Sequence, residues 1–125
     1  MAHVLVVDDD DANRLLLQRL VEAEGHVVHG ASSVDEAWQM IDGGLRPDVV
    51  FLDIAMPENT GVELVFRMRE RSELAKVPVV FATAYRERGR PIRAADKAVL
   101  GVLDKPLERD DVVAMLEKGL GAKPE

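Results

Sequence analysis

Cysteine is absent from the 125 residues, which excludes disulfide scaffolds, thiolate metal sites and cysteine nucleophiles and is compatible with a reducing compartment. No apolar run approaches membrane-spanning length, and the first residues lack the basic segment, apolar stretch and small-residue cleavage site of a signal peptide. A cytoplasmic location without a membrane partner is expected. Positive charge is also short. Against 23 Asp and Glu stand 16 Lys and Arg, a formal charge of -7 whose field repels phosphate backbones, so no direct nucleic-acid contact is expected. No repeat, low-complexity tract or interdomain linker is visible. What is present, 47% hydrophobic and 31% charged residues, suits one packed domain of this length. Residues 1–120 are expected to form it, with 121–125 as a frayed tail.

Short β-branched and aromatic runs alternate with helical patterns. Val4 to Val7 reads as a first strand, and Leu16, Leu17, Leu20 and Val21 form a helical stripe that stops at Gly25. His26 to Gly30 reads as a second strand. Ser32 or Ser33 then caps a helix, with Glu36 completing a capping box and Val34, Ala37, Trp38 and Ile41 on one face. Val49 to Leu52 and Val79 to Ala82 are unbroken apolar runs, as in strands buried on both faces. Between them a helix carries Val62, Val65, Phe66 and Met68. A short helix over 90–97, a fifth strand over Val99 to Leu103 and a last helix using Val112, Val113, Leu116 and Leu120 complete five strands and five helices.

Strict alternation of this kind means a parallel sheet covered on both faces, a doubly wound α/β domain of three layers. Ligands of such sheets bind outside the carboxyl ends of the strands. The polar residues at those ends are Asp8 and Asp9, Asp53, Thr83 and Lys105. Three carboxylates brought together repel one another unless a cation shares the site. With no histidine or cysteine among them the donors are all oxygen, which favours Mg2+, with Mn2+ as the second choice. A lysine and a hydroxyl opposite such a metal can neutralise a transferred phosphoryl group, and a carboxylate can accept it as an acyl phosphate. Asp53 suits that role, because it stands alone while Asp8 and Asp9 are paired.

Val7-Asp8-Asp9, Asp53 with Met56-Pro57 and Gly61 behind it, Thr83-Ala84 and Lys105-Pro106 resemble the receiver domain of bacterial two-component response regulators, the CheY-like superfamily, over about residues 2–120. The resemblance implies a (βα)5 fold of strand order 2-1-3-4-5, an order that general accounts of doubly wound sheets give for this family. It implies phosphorylation of Asp53 by a histidine kinase or phosphotransfer protein, giving a 4-aspartylphosphate. Asp9 would bind magnesium directly, Asp8 through a water and as a second acid, and the carbonyl of Ala55 would add a ligand. Thr83 and Lys105 would each bond a phosphoryl oxygen, and the Lys105-Pro106 bond would be cis. Since no output domain follows, output is expected through a separate protein.

One landmark departs from the pattern. Many receivers carry Tyr or Phe three residues before the lysine, where this chain has Val102. Tyr85, in Phe81-Ala82-Thr83-Ala84-Tyr85, is similar to a receiver subset lacking that aromatic, and is expected to take over part of the readout and to shield the acyl phosphate. Thr83, Ala84, Tyr85 and Val102 form the expected switch region. Arg86, Arg88, Arg90 and Arg93 admit two readings, a solvated loop and helix or a partner surface, since Arg is favoured at interfaces.

Other function classes fit less well. An aspartyl phosphatase of the haloacid dehalogenase kind needs a second Asp where this chain has Ala55. A flavin-binding relative needs a phosphate cradle where Asp8 to Asp11 would repel phosphate. A phosphorylation-independent interaction domain, held in one conformation because Val102 replaces the aromatic, is the remaining alternative. His3, His26 and His29 fall in or beside strands and receive no role, and Trp38 has core or edge spacing.

Asp10 and Asp11 stand where carboxylates cap exposed amides and suit the helix dipole. The four-aspartate run therefore divides into a metal half and a helix half. Asp9→Ala is expected to abolish magnesium binding and phosphorylation, whereas Asp10→Ala leaves both nearly intact; calorimetric titration of each variant with magnesium checks the division.

Overall fold

A computed structural model of the chain describes residues 2–53, 61–83 and 99–121. Five strands, β1 (His3–Val7), β2 (Val27–Ala31), β3 (Val49–Leu52), β4 (Val79–Thr83) and β5 (Val99–Asp104), form one parallel sheet of order β2-β1-β3-β4-β5. Four α-helices are described: α1 (Asp11–Glu22), α2 (Val34–Asp42), α3 (Gly61–Arg69) and α4 (Arg109–Gly121), with a short 3-10 turn at Ser72–Leu74. The helix expected over 90–97 lies outside the described residues.

Period-two alternation sends the strand side chains to two cores. Leu5, Val7, Val50, Leu52 and Phe81 pack under α2 and α3 with Ala37, Ile41, Leu64 and Met68. Val4, Val6, Val49, Phe51 and Val80 pack under α1 and α4 with Leu17, Val21, Val112 and Leu116. That is the three-layer, doubly wound arrangement the unbroken apolar strands imply.

The helix ends follow local chemistry. Asp10 is the N-cap of α1, its carboxylate accepting from the Asn13 N–H at 3.0 Å. Asp11 sits in the first turn and pairs with Arg14. Gly25, at φ 89°, allows the turn after α1 that an L side chain would resist. Ser33 caps α2 by accepting from Glu36 N–H at 3.0 Å, but Glu36 returns its own bond to the Ser32 N–H and not to the cap residue. Close approach of α4 to the sheet needs Gly119, where a Cβ would fall 3.0 Å from Val49 Cγ2 and 3.1 Å from Leu100 Cδ1.

Two stripe residues face outward instead. Leu16 is 40% exposed and Phe66 60% exposed. Each helical step turns the side chain by about 100°, so once Leu17 and Val21 face the sheet, Leu16 is carried off that face. In α3 the inner positions are Leu64, Val65 and Met68, and Phe66 is rotated away in the same manner. Trp38 is half-buried at the margin of the core, with the guanidinium groups of Arg67 and Arg71 at 5.8 and 5.4 Å from its ring centroid. Strand limits also shift: the second strand is Val27–Ala31, one residue later than the apolar pattern places it.

Burial fixes the expected ranking of substitutions in α3. Leu64→Ala is expected to lower stability by about 2–5 kcal/mol, and Phe66→Ala to change it by less than about 0.5 kcal/mol. Urea unfolding of the two variants measures the contrast.

Candidate functional site

The carboxyl ends of β1, β3, β4 and β5 bring the site together. β1 lies between β2 and β3, so the backbone just past its end is held on both sides: Asp8 N–H donates to Ala31 O at 3.1 Å, and Asp53 N–H donates to Val7 O at 3.0 Å. On the other flank, Lys105 N–H donates to Thr83 O at 3.2 Å. These main-chain bonds continue the sheet ladder for one step and set Asp8, Asp53, Thr83 and Lys105 in neighbouring rows. The Lys105-Pro106 peptide bond is cis.

Asp8, Asp9 and Asp53 each offer a carboxylate oxygen, and all three lie within 4.8 Å of one another. Asp8 and Asp53 are buried, Asp9 exposed. Among the described residues this is the one cluster of three or more carboxylate, imidazole or thiol donors with that spacing. Its all-oxygen chemistry, with one ligand open to solvent, fits a magnesium ion that keeps part of its water shell. Asp8 and Asp9 would hold the ion together with Asp53; Ala55 lies outside the described residues.

Lys105 spans the acidic group. Its Nζ donates to Asp8 Oδ2 at 2.6 Å and to Asp53 Oδ2 at 3.0 Å. Burial by itself would lower the lysine pKa, but its two carboxylate partners outweigh burial and leave it above the usual 10.5. Asp8 is balanced the other way. Burial is the largest influence and raises its carboxyl above 3.8, while Lys105 and the Asp10 N–H, which donates to Asp8 Oδ1 at 2.9 Å, offset only part of that. The ammonium is thus firmly charged and the Asp8 carboxylate still carries a desolvation burden. Thr83 is fully buried at the end of β4.

The structure thus brings together Asp8, Asp9, Asp53, Thr83 and Lys105 as the strand-end pattern suggests. Lys105 is paired with two carboxylates, where the resemblance assigned it a phosphoryl oxygen. Val102 is buried in β5 opposite Phe81. Ala84, Tyr85, Arg86, Arg88, Arg90 and Arg93 lie outside the described residues. One participant was not singled out from sequence: Arg14, whose Nη1 donates to Asp8 O at 2.9 Å while its other arm binds Asp11. The three-residue spacing of Asp11 and Arg14 on a helix was the available signal.

Comparison with known proteins agrees with this geometry. A family model described as the response regulator receiver domain matches residues 4–117. The positive alginate biosynthesis regulatory protein of Pseudomonas aeruginosa is 38% identical over 119 residues, 93% of this chain and 46% of that protein. The phosphate regulon transcriptional regulatory protein PhoB of Rhizobium meliloti is 32% identical over 123 residues, 98% of this chain and 54% of that protein. The chain therefore spans about half the length of these two relatives. Among solved structures, response regulator protein TrrA of Thermotoga maritima in complex with Mg2+ and BeF superposes with a TM-score of 0.81 at 28% identity, covering 96% of this chain and 100% of that one.

The raised Asp8 carboxyl predicts a pH-dependent contrast. In chelator-treated protein at neutral pH, Asp8→Asn is expected to be at least as stable as wild type, because it removes a buried charge. A raised carboxyl binds its proton in the fold before the unfolded chain does, so acidification relieves wild type and the two stabilities converge as pH falls toward 3.8. Urea midpoints at neutral and mildly acid pH test this; a wild type clearly more stable than Asp8→Asn at neutral pH would contradict it.

Proposed function

The chain belongs to the response regulator receiver domain family, and from that premise we propose that Asp53 takes a phosphoryl group from a histidine kinase or phosphotransfer protein and that the phosphorylated domain changes its affinity for an output partner. The observation that carries this reading is the Lys105 ammonium set 2.6 Å from Asp8 and 3.0 Å from Asp53 beside three clustered carboxylates.

A carboxylate oxygen of Asp53 attacks phosphorus as the bond from phosphorus to the donor nitrogen breaks, and the departing imidazole keeps that electron pair. Lys105, already at Asp53, meets the charge on a phosphoryl oxygen, and Thr83 offers its hydroxyl to another. Asp8 and Asp9, together with Asp53, would hold magnesium, or manganese in its place, and the ion would supply positive charge to the phosphoryl oxygens. Arg14 fixes the Asp8 carbonyl and so the loop that carries both acidic ligands. Ala55 contributes its carbonyl and Tyr85, with Ala84 and Val102, the readout, and Arg86, Arg88, Arg90 and Arg93 serve a partner. Residues 1–120 act as the receiver unit, and the domain works in the cytoplasm.

Intact mass after incubation with magnesium and acetyl phosphate tests the assignment. Wild type is expected to gain one phosphoryl group, Asp53→Asn none, and Lys105→Met to gain it about 10²–10³-fold more slowly, the scale of losing one charge-stabilising donor. A folded wild type that gains nothing would return the chain to phosphorylation-independent interaction.

A further inference from the structure

At the opposite end of β1 from the acidic site, two histidines meet across neighbouring strands. His3 Nδ1 and His29 Nε2 are 3.1 Å apart, with ring centroids 5.3 Å apart and planes inclined by 21°, so the rings meet nearly edge to edge. The register explains the meeting. His3 pairs with Val27 and Leu5 with His29, which makes the two histidines diagonal neighbours on one face, a separation that long side chains bridge. The backbone beneath His3 is fixed, its N–H donating to Asp48 Oδ2 at 2.8 Å and its carbonyl accepting from Asp48 N–H at 2.7 Å. β2 is an edge strand, His3 is exposed and His29 half-buried, so solvent reaches the pair.

We propose that His3 and His29 form a two-histidine site for Zn2+, separate from the acidic site, with water completing the coordination. Two Zn–N bonds of about 2.0–2.1 Å that open at about 95–110° end about 3.0–3.4 Å apart, a range that includes the observed 3.1 Å. In the metal-free pair one ring donates its N–H to the other. Moving that hydrogen to the donor ring's second nitrogen leaves both facing lone pairs available, with no net loss of a proton. Each ring then turns about its soft terminal torsion to aim at one point.

Donor type separates the two ends of β1. Imidazole nitrogen suits zinc and carboxylate oxygen suits magnesium. At a rise of about 3.3 Å per residue, the five steps from His3 to Asp8 put roughly 16 Å between the two sites, too far for one ion to be shared. Zinc at the histidines would tie the edge strand β2 to β1, the strand that ends in Asp8.

The test is a Zn2+ titration of the full 15N-labelled chain, with excess Mg2+ present, followed through the imidazole nitrogen resonances. Because the readout is the histidine rings themselves, it stands whether or not the acidic site binds magnesium. The His3 and His29 nitrogens are expected to shift together and saturate at one equivalent, with His26 unmoved. His29→Ala is expected to keep the amide spectrum of the fold and to weaken zinc binding at least about tenfold, since changes to mere outer-shell partners already cost about 10–100-fold. Ring nitrogens that stay in place up to millimolar zinc, an affinity unchanged in His29→Ala, or a response of His26 in place of His29 would each overturn the proposal.

Discussion

Three carboxylates offer oxygens within 4.8 Å of one another at the mouth of the sheet, two of them bound by one ammonium group, and most of the domain can be understood as the framework that keeps them there. Like charges so close repel one another. The main chain that carries Asp8 and Asp53 is locked into the ladder at Ala31 and Val7, that of Lys105 at Thr83, and Lys105 divides its charge between the two buried members. The balance is uneven. Lysine gains from the arrangement, while Asp8 remains in an environment that disfavours its charge. A group of this kind has an unmet demand for positive charge, which is the physical basis for its affinity for a divalent cation and for chemistry on an anionic group brought beside it.

The sheet behind the site meets a different requirement. A parallel strand covered on both faces must be apolar at nearly every position, which leaves its ends as the place where polar chemistry can begin. Val4 to Val7, Val49 to Leu52 and Val79 to Ala82 obey this so fully that the first charged or hydroxyl residue after each run, Asp8, Asp53 and Thr83, was visible in the sequence as a site candidate. The same rule makes the site rigid. Each of these residues follows directly on side chains that are completely or almost completely buried, so small displacements there would disturb the core.

Legibility fell where a decision depends on three dimensions. Leu16 and Phe66 sit among other apolar residues, so the periodicity admits more than one inner face, and only packing against the sheet selects Leu17 and Leu64 instead. The bond from Glu36 to the Ser32 amide instead of that of Ser33 depends on the exact turn into α2. Lys105 shows a similar limit: its place at the site follows from strand order, but its attachment to both Asp8 and Asp53 is a matter of side-chain reach. Arg14 was not singled out in the sequence, and its bond to the Asp8 carbonyl arises because α1 starts soon after the strand it serves. The histidine pair was overlooked for the same reason, since His3 and His29 are 26 positions apart and become neighbours only through the β1–β2 register.

The contact between Lys105 and Asp8 joins residues 97 positions apart, and that with Asp53 joins residues 52 apart. As the chain leaves the ribosome, β1 and β3 can pair well before β5 exists, and during that interval the acidic cluster has no lysine between its members. The assembling half-sheet thus carries an internal charge conflict that its last strand resolves, which adds to the loop-closure entropy that already makes such distant pairings slow. A divalent cation from the surrounding solution would suit this incomplete stage as well as the finished site, so ionic conditions have a route to influence how the domain assembles as well as what it does once assembled.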